Sequence, residues 1–422
     1  MMRRAGREAI TLVVVLALAS VAAEFAHLVR ELIHGSAEFF YGDENVTEAM
    51  KSADKASIVV LVTAGILTAR FLNTRVQSWR PRRLGIDAVA RSAQGVDHGV
   101  SLRGTLVRST ATLVACVPGT SLGRESAILE AGGALGGWVS RRTGLHAAAL
   151  ISAGVAAGFT TAYHSPLGAI AYVGGHLGVW RNRRAVVYTA VSALFANWLS
   201  VTHLGGHPIF PGTHDSVASL AVLGLIALVP AFVGARAFVQ LRDHLAVWRF
   251  GKEHPRLVLV ASVAVSVAIV VVAPLSAGNG MEALRHVALG GSVAAAAALG
   301  IGKLLAVSAT LNAKASGGVV APTLAVTAGW VLMTYVGLEK LGVNLPGTHW
   351  GGMIIGMSVG AAVGLHSPLM ASVMVAEMCG QMGMVPFTAA AAFLAHRAVH
   401  RLDRWDEARK LHVPAAIHAE DE

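Results

Sequence analysis

The chain has 422 residues, of which 54% are hydrophobic and only 14% charged, and its formal net charge is +10. With a mean hydropathy of +0.59, this composition excludes a soluble protein split into polar domains and points to one transmembrane domain over 1–422. The positive charge does not indicate a nucleic-acid partner, because Lys and Arg gather in short clusters between apolar segments: MMRR, SWRPRR, WRNRR, WRFGKEHPR and HRLDRWDEARK.

At the N-terminus, MMRRAGRE precedes the apolar run ITLVVVLALASVAA, much as in a secretory signal. No small-residue cleavage site follows and the run continues into EFAHLVRELIH, so the segment reads as a retained first helix. A simple crossing takes about 20 apolar residues, and several runs fall short of that. Residues 9–23 stop at Glu24, residues 56–69 lie between Lys55 and Arg70, and residues 165–180 open with Ser-Pro and contain His176. Runs 216–235 and 257–278 are long enough to cross. Short or broken helices beside full ones point to a transporter or channel, since irregular backbone at membrane depth needs protein or a water-filled cavity around it. Both ends are basic, which puts both termini in the cytoplasm. Cys116 and Cys379 lie far apart in apolar contexts and indicate neither a disulfide nor a metal site, and no cofactor is expected.

An internal repeat runs through the chain. GVAAGFTTAYHSPLGAIAYVGGHLG (154–178) and GMSVGAAVGLHSPLMASVMVAEMCG (356–380) share Gly-x-x-x-Gly followed by His-Ser-Pro-Leu at identical spacing. Each follows a Gly-rich turn and helix start, GRESAILEAGG (123–133) and GGVVAPTLAVTAG (317–329). Two related halves result, parallel or inverted. Within them, Gly-x-x-x-Gly and the Pro at a helix start read as packing devices around His164 and His366. The helix starts carry the chemistry: each N-terminus presents free N–H groups and about half a positive charge, so two converging near mid-membrane can hold an anion without burying a full positive charge.

These motifs resemble those of the CLC family of chloride channels and chloride/proton antiporters, over residues 10–405. GRES at 123–126 resembles the family's Gly-Arg-Glu-Gly-Pro motif and GGVVAP at 317–322 its Gly-Gly-Ile-Phe-Ala-Pro motif, while the two HSPL segments stand where the family has its Asn/Arg-Ala-Pro-Leu helix starts. The resemblance, to a divergent prokaryotic-type member, implies an all-α polytopic fold of about eighteen helices in two inverted halves. These would cover 9–205 and 214–405, with 406–422 a cytoplasmic tail lacking regulatory domains. It also implies a homodimer with one pathway per subunit, in a bacterial inner membrane, carrying a small inorganic anion such as chloride. By position Glu125 is the gating glutamate, whose carboxylate competes with the anion and yields on protonation. Gly318, Val319 and Val320 supply backbone amides to the anion, and Arg108 and Lys303 are basic positions near the path, able to raise local anion concentration or to hold headgroups or a helix end.

The sequence departs from the family at three places. In ungapped register Leu84 replaces a serine whose hydroxyl contacts chloride, leaving the backbone near Gly85 and Ile86 as the substitute donor, or another anion as the substrate. Trp405 falls near the family's central tyrosine and keeps one N–H donor. His176 replaces the inner glutamate of proton-coupled members; a His relay, an uncoupled channel, a carrier using another proton path or a purely structural histidine all fit that change, while the hydroxyl missing at Leu84 leaves fluoride, nitrate or bicarbonate open as the anion. Glu377, near the matching place in the second half, reads as a structural acid. An intramembrane enzyme is disfavoured, since HExxH and Ser/His or paired-Asp spacings are missing, and cation transport by the few acids in the apolar runs.

Overall fold

The computed structural model describes residues 2–79, 83–96, 99–206, 208–247, 253–288 and 290–412, without the side chains of 2–5, 246–247 and 405–412. The first half contains α1 (Met2–Tyr41), α2 (Val46–Ser52), α3 (Lys55–Trp79), α4 (Ile86–Ala93), α5 (Leu102–Cys116), α6 (Glu125–Thr143), α7 (Ala147–Tyr163), α8 (Pro166–His176) and α9 (Arg183–His203). The second contains α10 (Val217–Val247), α11 (Pro255–Val272), α12 (Met281–Ala288), α13 (Val293–Asn312, with a π turn at Ala298–Gly302), α14 (Val320–Lys340), α15 (His349–Leu365), α16 (Pro368–Met378) and α17 (Val385–His412). Eight helical segments among the described residues are long and apolar enough to cross a membrane. No strand occurs among them, only an isolated antiparallel bridge between Gly123 and Gly318.

Two of the short runs are longer helices than the hydropathy pattern implies. α1 continues past Glu24 to Tyr41, because Glu24 lies on the exposed side and burdens no core. α3 continues past Arg70, whose Nη1 donates to Ala313 O at 3.1 Å, so the charge is held without ending the helix. The apolar run at 165–180 is, as its Ser-Pro start implies, a short helix, α8.

The halves repeat their parts at matching size. α4 and α12 have 8 residues each, α7 and α15 have 17, and α8 and α16 have 11. His164 and His366, which end α7 and α15, both adopt the left-handed conformation, at φ 48° and 51°. The Gly-x-x-x-Gly motifs do pack closely: a Cβ on Gly154 would lie 2.1 Å from Gly132 O on α6, and one on Gly360 would lie 2.5 Å from the Thr327 hydroxyl on α14.

Polar contacts at the helix ends fix the directions. Arg7 donates to Gly144 O at 2.6 Å and Arg184 pairs with Glu8 at 3.0 Å, so the start of α1, the α6–α7 turn and the start of α9 share one face. Arg30, further along α1, donates to Leu204 O at 3.1 Å beyond the end of α9, on the opposite face. α10 begins on that opposite face and returns, so it runs against its counterpart α1. The halves are inverted, and α8 and α16 lie antiparallel where they meet, with Glu377 near the C-terminus of α16 bonded to the start of α8.

Candidate functional site

The loops that lead into α6 and α14 touch at their last glycines. Gly123 N–H donates to Gly318 O at 2.9 Å and Gly318 N–H to Gly123 O at 2.7 Å. A Cβ on Gly123 would fall 2.8 Å from Gly318 O and 2.7 Å from Oε2 of Glu125, so the approach requires glycine. This reciprocal pair sets two helices start to start, Glu125 opening α6 and Val320 opening α14. Neither Arg124 nor Val319 caps its helix with a side chain. The first amides, which have no partner within a helix, are left to whatever occupies the gap, at the positive end of both dipoles.

Glu125 is buried, with 4% of its surface exposed. Asn279 Nδ2 donates to its Oε1 at 2.6 Å, while its Oε2 is buried with no hydrogen-bond partner. One oxygen of the carboxylate is thus held and the other is left without a donor. Asn279 stands in the short loop before α12, and Lys303 on α13 holds that loop. Its fully buried ammonium donates to the carbonyls of Ser276 (3.0 Å), Ala277 (3.2 Å) and Gly278 (2.9 Å) and to the Ser121 hydroxyl (3.3 Å).

Two cavities approach this point from opposite sides. The first, about 90 Å³, reaches Arg124, Glu125 and Asn279 and is flanked by Arg30 of α1 and Glu282 and Arg285 of α12. The second, about 370 Å³, is bounded by the starts of α4 and α14 and by Arg108, Glu130, Tyr163 and His176. Ser126 lines the second cavity and its neighbour Glu125 the first, so the partition between them is one residue deep.

Residues 60–400 match the family model described as voltage gated chloride channel. The chain belongs to the CLC family. Among curated CLC relatives, the "Voltage-gated ClC-type chloride channel ClcB" of Citrobacter koseri is 29% identical over 307 residues, covering 69% of this chain and 70% of that protein. The protein of the same name from Salmonella dublin is 27% identical over 399 residues, covering 89% and 91%. Two solved structures share the CLC fold: a slow cyanobacterial Cl⁻/H⁺ antiporter (TM-score 0.74, 15% identity) and a CLC-type fluoride/proton antiporter (TM-score 0.70, 16% identity), each match covering 92% of this chain and 94% of the other.

Within this CLC fold the anion-contacting positions expected on the loops before α4 and α14 gather around the second cavity. Gly318, Val319 and Val320 line it from α14, and Leu84, Gly85 and Ile86 from the start of α4. The Leu84 side chain turns toward Gly104 and donates nothing, whereas Gly85, at φ 83°, opens α4 with no side-chain cap. His176 stacks on Tyr172 with ring centroids 5.0 Å apart, and its Nε2 is buried without a partner. The side chain of Trp405 lies outside the described residues; its backbone belongs to α17.

Of the two basic positions expected near the path, Arg108 lines the second cavity. Arg108 is bonded to Glu130 at 3.0 Å and to Asn73 at 3.1 Å, and Lys303 lines neither cavity, its charge spread over loop oxygens. Three participants escaped sequence reasoning. Asn279 gives no signal, being one polar residue in an irregular loop. Glu130 was visible as a second acid five positions after Glu125, and Tyr163 as the residue before HSPL; it brings a phenol to the cavity wall that Leu84 leaves without a hydroxyl.

Proposed function

We propose that the chain carries a small inorganic anion, chloride first among them, across a membrane through these two cavities, with Glu125 as the gate between them. One observation carries this reading: a buried carboxylate with an unpartnered oxygen lines the first cavity while its neighbour Ser126 lines the second. A carboxylate can occupy an anion's place and give up its charge to a proton, which removes both the competition and the repulsion. Uncapped helix starts at Val319, Val320 and Gly85 provide N–H donors, with the Tyr163 phenol as a further donor. The names of the ClcB relatives and of the two antiporters, all anion carriers by title, support the substrate class. His176, with an unpartnered ring nitrogen in the second cavity, is the candidate station for protons between that cavity and Glu125. The protomer is taken to pair as a homodimer in a plasma membrane, its basic face toward the cytoplasm.

Purified protein in liposomes loaded with chloride tests the gate. Efflux is expected to rise as pH falls, and Glu125→Gln, which fixes the neutral state, is expected to abolish that dependence. Wild-type pH dependence in Glu125→Gln would remove Glu125 from the role. Recording pH on both sides separates exchange from passive flux, since only exchange drives protons uphill against a chloride gradient.

A further inference from the structure

Resting on the reading of Glu125 as the gate, we propose that Asn279 is its latch: a positioning residue whose amide holds the ionised carboxylate across the partition. The network fixes which end of the amide faces the gate. Asn279 Oδ1 accepts the Met281 N–H at 3.1 Å, so the NH₂ group is the end that meets Glu125, at 2.6 Å. A donor of this kind bonds a charged oxygen more strongly than a neutral one, so it favours the seated, ionised gate over the protonated, departing one. Its platform is rigid. Three successive carbonyls of the loop, those of Ser276, Ala277 and Gly278, accept from Lys303, and Gly278 N–H donates to Gly119 O at 2.9 Å. The buried lysine thus bears on the gate through Asn279 as well as through its charge.

The charged and titratable groups that face Glu125 are known. Arg124 adjoins it, Cys116 ends α5, Tyr163 and His164 end α7, and Lys303 approaches from α13. Across the first cavity stand His27, Arg30 and His34 of α1, with Glu282 and Arg285 of α12. None of these makes the bond to Oε1 that Asn279 makes.

The test is the pH profile of chloride efflux from liposomes for Asn279→Ala and Asn279→Asp. Asp retains the acceptor for Met281 N–H, so the loop keeps its anchor, but it removes the donor and opposes the gate with a second carboxylate. Both variants are expected to shift the profile to higher pH, Ala by about one unit and Asp by more, with the wild-type rate kept at the acid plateau. In a Glu125→Gln background neither substitution is expected to change the rate more than about twofold, because no charged gate is left to hold. Unshifted profiles in both variants, with Glu125→Gln still abolishing pH dependence, would overturn the latch and leave the gate standing. A shift to lower pH would overturn it as well.

Discussion

Arg108 and Glu130 place opposite charges in the wall of the second cavity, with 22% and 6% of their side-chain surfaces exposed. Removing one partner leaves the other charge poorly solvated, so Glu130→Leu is expected to destabilise the protein by about 3 kcal/mol, the low end for a broken buried pair because Arg108 still meets some water. The double variant Arg108→Met, Glu130→Leu should recover most of the loss; thermal unfolding of the three proteins in detergent checks both statements. The pair also marks the reach of sequence reasoning at this scale. Glu125 stood out because a charge beside a Gly-rich turn at a helix start is rare in an apolar chain, and its proposed role came from the resemblance of GRES to the family's motif. The partners of Arg108 and Lys303 were not legible, since those of Arg108 are an acid and an amide distant in sequence, and those of Lys303 are one hydroxyl and three backbone carbonyls, which have no sequence signature.

Helix starts show a second, asymmetric device. Glu377 accepts from the Ser165 hydroxyl at 2.6 Å, Leu167 N–H at 3.0 Å and Gly168 N–H at 2.9 Å, and so caps α8 from the neighbouring α16. Glu377 lies as far after His366 as Gly175 lies after His164, so the equivalent place in the first half holds no side chain for the start of α16. Glu377→Ala is expected to cost about 2 kcal/mol, as for loss of a strong helix cap. Gly175→Ala should have the opposite sign and gain up to about 1 kcal/mol, because its Cβ would make only ordinary contacts, with the Ser367 hydroxyl at 3.7 Å and Trp180 Nε1 at 4.0 Å. Melting temperatures of the two variants test the pair. At this scale HSPL and its glycines were readable as helix breaks and close packing, whereas Glu24 and Arg70 bound apolar runs shorter than the helices that contain them, since whether a charge stops a helix depends on which side it faces.

Across the whole molecule, inversion brings equivalent helix starts to the middle while the turns go to the faces. The starts of α1 and α9 share one face, together with the α6–α7 turn and its Arg141 and Arg142. The order of the repeats was visible in the sequence, but their relative direction was not, because a repeated motif reads the same whichever way its half is inserted. With the native cysteines replaced, Arg184→Cys is expected to react with an impermeant thiol reagent only from the cytoplasmic side and His203→Cys only from the other. Labelling of both from one side would contradict the proposed orientation.

The thin partition at Glu125 also has an electrical meaning. Water-filled cavities conduct, so the solutions on either side extend inward and most of the membrane potential drops across whatever separates them. A unit charge moved through 100 mV exchanges about 2.3 kcal/mol with the field. In the proposed pathway that work is concentrated on the step past Glu125, and a voltage reaches the proposed gate directly without any charged helix having to move.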